Sequence, residues 1–297
     1  MGFAKKALKS ARDYALGPVG KRTVGSFENT ISQLHLTLAY RQIAGSGGVL
    51  PALSDTGFTV YSADDVDGIL LFVFAVIGTT NKKCVEICAG DGIQCNTANL
   101  IINHGWTGLL VDGNADSVER ARHYYGINRS TAIYPPTIVN SWVTRSNVND
   151  LLENNGFAGP IDLLVIDMDG VDYWIWDALD VIKPRVVVAE YQDIIGADKA
   201  LTVPYSDDFN ARNFPTTNGL PNFGGASLLA LAKLAASKGY RLVGRSRCGV
   251  DAIFVRSDLG VDHIPDKSVA ECLDHPKSIR GRAERFPTVE HLPWVEV

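Results

Sequence analysis

Two stretches of this 297-residue chain crowd oxygen donors together: Asp167, Asp169 and Asp172 in IDMDGVD, and Glu190, Tyr191 and Asp193 in EYQD. Carboxylates at such spacing support three kinds of chemistry. A carboxylate with a raised pKa in a closed site, with Asp167, Asp169 and Glu190 as candidates and Tyr191 beside them, can take a proton from a hydroxyl or an amine. Asp167 and Glu190, with Asp169 as a third donor, can instead hold magnesium, an ion that prefers hard oxygens. In the third reading Asp169 and Asp172 only cap the helix that follows, and no acid–base work is done. Spacing alone does not choose among the three.

The stretch CVEICAGDGIQC, residues 84–95, sets three of the five cysteines around Gly90 and Gly92. A cysteine cluster site is the weaker reading. Its C-x3-C opening resembles a radical iron–sulfur motif, but Cys95 falls across the glycine turn instead of close behind the pair. Cys84 and Cys88 share one face of a short strand, where small apolar groups are wanted. Cys95 stands where a dinucleotide turn has its third small residue. The glycines are the functional choice. They let backbone approach a ligand closely, ahead of a helix N-terminus that attracts anions. Asp112, twenty residues past Gly92, ends the next apolar run and is placed to accept hydrogen bonds from ribose hydroxyls.

Those residues need a parallel sheet to position them. From Lys82 onward, apolar runs alternate with helical periods. Strands are predicted at CVEIC, GLLVD (108–112), about 137–142, IDLLVID (161–167) and RVVVAEY (185–191). Helices are predicted over 96–103, 116–125, 147–154, 173–181 and 226–238. Runs so continuously apolar belong to a sheet covered on both faces. The last two strands, 240–246 and 251–257, are joined through Gly249 and must form a hairpin, so the final strand runs antiparallel. The fold class is therefore α/β: a Rossmann-like, seven-stranded, mostly parallel sheet with an antiparallel last strand.

Three regions follow: a helical extension over 1–57, the main domain over 58–257, and a C-terminal tail over 258–297. In the extension, Ile31, Leu34, Leu38 and Ile43 recur at helical spacing up to the breaker GSGG and predict a helix packed on the main domain; a lid is the alternative. Ser62, followed by acids, reads as the N-cap of a buried helix over Ile69–Ile77. The loop over 192–225, long and aperiodic, carries Tyr205, Phe209, Arg212, Phe214 and Phe223 and reads as a substrate or lid loop. Tyr173 and Trp176 share a helical face, which points to core packing before substrate stacking.

Composition narrows the function classes. The net charge of −5 argues against nucleic acid as a partner, the basic stretch between Met1 and Arg22 being the exception. No apolar run is long enough to cross a bilayer, and none opens the chain as a secretion signal would. An odd number of cysteines without such a signal predicts reduced thiols and a cytoplasmic location. Six histidines show no metal-ligand spacing.

VEICAGDGIQCNTANL, GWTGLLVDGN and IDLLVIDMDGVDYWIWDAL resemble class I methyltransferases that use S-adenosyl-L-methionine (SAM), most nearly the FkbM-like group. The resemblance covers about residues 58–257. It implies that Glu86, Ala89, Gly90, Asp91, Gly92 and Asn96 line the methionine and ribose side, and that Asp112 with Asn114 holds the ribose. It further implies that Asn140, Ser141 and Trp142 flank the adenine and that Asp167 contacts the cofactor's ammonium. The chain departs from the common motif at Cys88, where a glycine usually stands, and at Ala63, where a glutamine is frequent. Sugar O-methyltransferases that it resembles in outline place metal-binding acids at the same strand ends, with paired aspartates where this chain has Glu190-Tyr191. The expected activity is methyl transfer to oxygen, less readily nitrogen, of a small metabolite, sugar or peptide. A homodimer through either extension is the only protein partner expected. Two alternatives stay open: an NAD(P)-dependent oxidoreductase, since GDGIQC matches G-x-G-x-x-G except at its end, and a catalytically silent SAM-binding interaction domain.

Overall fold

The computed structural model describes residues 26–297, and the basic stretch between Met1 and Arg22 lies outside them. The chain divides into two compact units at residue 50. In the first, α1 (Ser26–Gly45) spans the expected helix and stops at the glycine breaker. Ile31, Leu34 and Leu38 are exposed along it, and Gln33 is buried.

The second unit, residues 51–297, holds the sheet. Its first helix, α2 (Val66–Ile77), is apolar on every side apart from Asp67 in its first turn and is buried from Val66 to Ala75, as a helix enclosed by protein must be. Ser62 is not its N-cap, which is Asp65. The acid that organises the entry is Asp67, whose Oδ2 accepts the backbone N–H groups of Val60, Tyr61 and Ser62 at 2.6, 2.6 and 2.9 Å. Three orphan donors are better met by a carboxylate than by a hydroxyl.

Four βα repeats and a fifth strand follow. They run β1 (Lys83–Ile87), α3 (Ala98–His104), β2 (Thr107–Asp112), α4 (Ala115–Ile127), β3 (Thr137–Asn140), α5 (Val148–Asn154), β4 (Gly159–Ile166), α6 (Asp172–Ala178) and β5 (Ile182–Glu190). The 192–225 segment contains three two-residue strands, β6 (Leu201–Thr202), β7 (Thr216–Thr217) and β8 (Leu220–Pro221). After α7 (Leu228–Ser237) come β9 (Tyr240–Arg245) and β10 (Asp251–Arg256). The main sheet has the order β3-β2-β1-β4-β5-β10-β9. Its strands are parallel except β10, which pairs antiparallel with both β5 and β9. The hairpin expected at Gly249 thus inserts its second arm beside β5, and strand order reverses between β1 and β4.

Leu163, Leu164, Val165 and Ile166 of β4 and Val186, Val187 and Val188 of β5 are fully buried, as a central parallel sheet requires. At the opposite end from the carboxyl ends, Asp162 acts as a knot. It accepts N–H groups from Thr80, Asn81 and Lys82 and pairs with Arg185 at 3.3 Å. The C-terminal segment folds as α8 (Val269–Leu273), α9 (Pro276–Glu284) and β11 (Val295–Glu296), which pairs with β6. It wraps the unit through Arg285, which donates to Asn222 and Pro221 and pairs with Asp193. Among the described residues, no helix is long and apolar enough to cross a membrane.

Candidate active site

A cavity of about 720 Å³ opens at the carboxyl ends of the strands, over the point where strand order reverses. This is where ligands bind in open α/β sheets. Its first wall is the turn after β1. Cys88, Gly90 and Gly92 all have positive φ, at +64°, +58° and +64°. Two glycines meet that demand without strain, whereas a cysteine meets it at a cost. The Gly90 N–H donates to Asp112 Oδ2 at 2.8 Å, and the Asn114 N–H to Asp112 Oδ1 at 2.8 Å. The carboxylate is thereby fixed at the cavity edge, with lone pairs remaining on each oxygen.

The residues singled out around this turn divide into lining and bracing groups. Gly90, Asn96, Asp112, Asn114 and Trp142 line the cavity. Glu86 does not line it: the Asn96 and Thr97 N–H groups and the Thr97 hydroxyl, at 2.8, 2.8 and 2.6 Å, occupy its buried carboxylate. Burial raises its pKa against those bonds. Ala89 is buried and donates to the Val111 carbonyl, and Asp91 closes its own turn by accepting from Ile93 N. Gly92 packs toward Leu110 and Tyr125, where a Cβ would come within 3.0 Å and 3.2 Å. Asn140 and Ser141 lie behind the wall, donating to the Asp112 carbonyl. Trp142 lies across Gly113, leaving no room there for a side chain.

The second wall is acidic. Asp167, Asp169 and Glu190 each direct a carboxylate oxygen to within 4.8 Å of the others. Asp169 reaches the cluster from a left-handed φ of +56°. Burial, followed by the charges of Asp251, Asp172 and Asp169, pushes the Asp167 pKa well up, against a hydrogen bond with Glu190. Burial and then Asp167 do the same to Glu190. Two carboxyls this close, each raised by burial and by the other, favour holding one proton between them. Asp172 stands behind them, accepting from Met168 N at 2.8 Å and Gly170 N at 3.1 Å, so it braces the loop and does not line the cavity.

Tyr191 is not part of this wall. It is buried on the other face of the sheet margin, because neighbouring residues of an extended chain point to opposite sides. Its hydroxyl has no hydrogen-bond partner among the described residues. Asp193 is likewise engaged elsewhere, with Arg285 and Lys277. A residue that the strand pattern concealed takes the vacated place. Asp251 opens β10 directly opposite Glu190 in the antiparallel register and lines the cavity. Burial lifts its pKa to about 6 against a bond from Ser246. The hairpin alone does not give this pairing, because it leaves open which strand β10 lies beside.

Asp64 and Cys248 complete that side. Burial acts to raise the Asp64 pKa, but hydrogen bonds from Cys248 and Ser246 hold it below the usual value. The roof comes from the 192–225 segment, through Ser206, Asp207, Phe209 and Arg212. It is fastened by Trp142 Nε1 donating to the Asp207 carbonyl at 2.5 Å and by Arg145 N donating to the Tyr205 hydroxyl at 2.8 Å. Cys88 lines the floor, and burial and then the charge of Asp172 push its thiol pKa far up, so it is not a thiolate.

No family model matches the chain. No curated protein matches it either. Among solved structures it is similar to the mitomycin 7-O-methyltransferase MmcR, at 16% identity over 61% of this chain and 49% of that one, with a TM-score of 0.37. The chain thus spans about half the length of MmcR. It is also similar to the magnesium protoporphyrin IX methyltransferase ChlM from Synechocystis PCC 6803 with bound SAM, at 12% identity, 65% and 78% coverage and a TM-score of 0.39. The N-terminal domain of EvdMO1 with S-adenosylhomocysteine (SAH) bound gives 12% identity, 73% and 94% coverage and a TM-score of 0.42. Likenesses this distant assign neither ligand nor activity to this chain.

Proposed function

We propose that residues 51–297 form a SAM-dependent methyltransferase acting on an oxygen, less readily a nitrogen, of a small metabolite, sugar or peptide. The observation that carries this reading is Asp112: its two oxygens are fixed by Gly90 and Asn114 at the lip of a cavity that continues to the carboxyls of Asp167 and Glu190. A ribose would be held at Asp112, with Asn114 and Trp142 beside it. The acidic wall suits a cationic cofactor, because Asp167, Asp169, Glu190 and Asp251 face the same space. Methyl transfer from a sulfonium needs mainly an oriented acceptor and a group to remove its proton. In this reading the Asp167–Glu190 pair takes that proton, and the roof from Ser206 to Arg212 orients the acceptor. Calorimetry with SAM, SAH and NAD tests it. Binding of NAD with no binding of either sulfur compound would return the oxidoreductase as the better reading.

One observation favours a metal as an addition to this reading. The three carboxylates within 4.8 Å of one another form a hard-oxygen set that fits magnesium. Asp167, Asp169 and Glu190 would hold the ion, which would supply a positive charge to an acceptor oxygen. A rise in the thermal midpoint on adding magnesium after EDTA, absent in Asp169→Asn, is the expected sign; no rise removes the metal.

A further inference from the structure

A second, smaller cleft of about 260 Å³ lies at the other end of the sheet. β5 runs from Lys183 at this cleft to Glu190 at the large cavity, roughly 20 Å away at about 3.3 Å per residue. The floor is apolar, made by Leu164, Leu179 and Ile182 with the ring of Trp176. Trp176 is only 2% exposed and is wedged between Tyr240 and Phe254, at ring-centroid distances of 6.1 and 5.2 Å. Its indole N–H makes no hydrogen bond within the described residues and is not sealed from solvent, which leaves it open to a ligand in the cleft.

The rim is cationic. Lys183, Lys238 and Arg256 line it, against Asp180 as the one lining acid. Arg256 is committed to Asp258, but Lys183 has no ion-pair partner among the described residues. Lys238 Nζ donates to the Asp177 and Leu179 carbonyls at 3.0 and 3.1 Å, where α6 ends, which leaves one of its three donors unused. Burial lowers the Lys238 pKa, the direction that a nearby anion would reverse.

An apolar floor, an indole N–H without a protein partner and two ammonium groups together recognise a planar anion with an apolar body. The volume falls below the roughly 300–1,000 Å³ usual for drug-sized ligands, so the ligand is small. We propose that this cleft binds a small carboxylate with an apolar body, such as an aryl or short branched-chain acid, at a site separate from the large cavity. The carboxylate is met by Lys183, by the free donor of Lys238 and by the indole N–H of Trp176.

Fluorine NMR of protein labelled with 5-fluorotryptophan tests this, with benzoate as the probe and benzamide as its uncharged match. The five tryptophans give separate reporters, and Trp176→Phe, or elimination through the other four, assigns the signal. Benzoate should shift the Trp176 signal saturably, with a Kd on the order of 1 mM, and leave the Trp142 signal in place. Benzamide should not shift it. Lys183→Glu, an exposed change, should weaken benzoate binding by about tenfold or more at an unaltered thermal midpoint. The proposal fails if Trp176 is unmoved at about 20 mM benzoate, roughly twenty times the expected Kd. It fails equally if benzamide matches benzoate, or if Lys183→Glu binds benzoate like the wild type.

Discussion

Cys88 sits at a φ of +64°, where an L side chain costs about 1–2 kcal/mol. Cys88→Gly removes that strain but adds backbone freedom to the unfolded chain, worth roughly 0.5–1 kcal/mol, and loses the thiol's packing. The two effects nearly cancel, so urea unfolding should place the glycine variant within about 1 kcal/mol of the wild type. Cys88→Val, branched at Cβ, should lose on the order of 2 kcal/mol or more, because its side chain tolerates positive φ poorly. Equal stability of the two variants would mean that the turn is not held in this conformation. Asp112 makes a different kind of contribution. It anchors two N–H groups of the turn and, in the proposed function, the ribose. Asp112→Ala should weaken SAH binding by about 10- to 100-fold, the loss of charge-assisted bonds worth roughly 1.5–3 kcal/mol. Calorimetry that found unchanged affinity would remove Asp112 from the cofactor site.

Among the elements, the roof segment packs directly on a glycine, Gly170, beneath Phe209. A Cβ at Gly170 would stand 2.6 Å from the Phe209 ring, closer than real contacts allow. The ring must therefore move in Gly170→Ala, and with it the stack of Phe209 on Phe214 and Phe223. Overpacking of this kind costs typically about 1–3 kcal/mol. Limited proteolysis should cut the variant faster between Tyr205 and Phe214, and a wild-type cleavage pattern would show that the ring yields freely. This segment was also the least legible from sequence. The strands and helices of the sheet announce themselves through apolar runs and helical periods, and the Gly249 hairpin fixes the direction of β10. Asp112 follows from the end of β2 alone. The roof has no period because its order comes from partners far along the chain, with β6 held by β11 and the Trp142 indole held by Asp207. Exposure of Ile31, Leu34 and Leu38 was equally hidden, since spacing shows that a stripe exists and not what covers it. Tyr191 was misplaced for a plainer reason. It and Glu190 are adjacent in extended backbone, so both could not face the cavity, and period two was the available signal.

For the molecule as a whole, the carboxyl cluster sets how stability responds to pH. Asp172 and Asp251 are both buried, and burial lifts each to about 6 from an ordinary 3.8. Between those two values the folded protein keeps a proton that the unfolded chain has released. More protons on the folded state mean that stability falls as pH rises through this window and levels off above it. Each group contributes a fall of up to about 3 kcal/mol. Asp167 and Glu190, also raised by burial, extend the fall in the same direction. The opposite slope belongs to the surface. Hydrogen bonds from Ser268 hold Glu271 down to about 2 from 4.5, so its contribution is present above 4.5 and is lost as pH falls through 2. Urea midpoints should accordingly peak near about pH 4–5 and decline toward pH 7, a lower optimum than most soluble proteins show. Asp251→Asn cannot ionise, so its decline between pH 4 and pH 7 should be shallower by up to about 3 kcal/mol. A wild-type midpoint that rises steadily from pH 4 to pH 7, or an asparagine variant with an unaltered slope, would mean that these carboxyls ionise freely and that the cavity wall is far wetter than its burial implies.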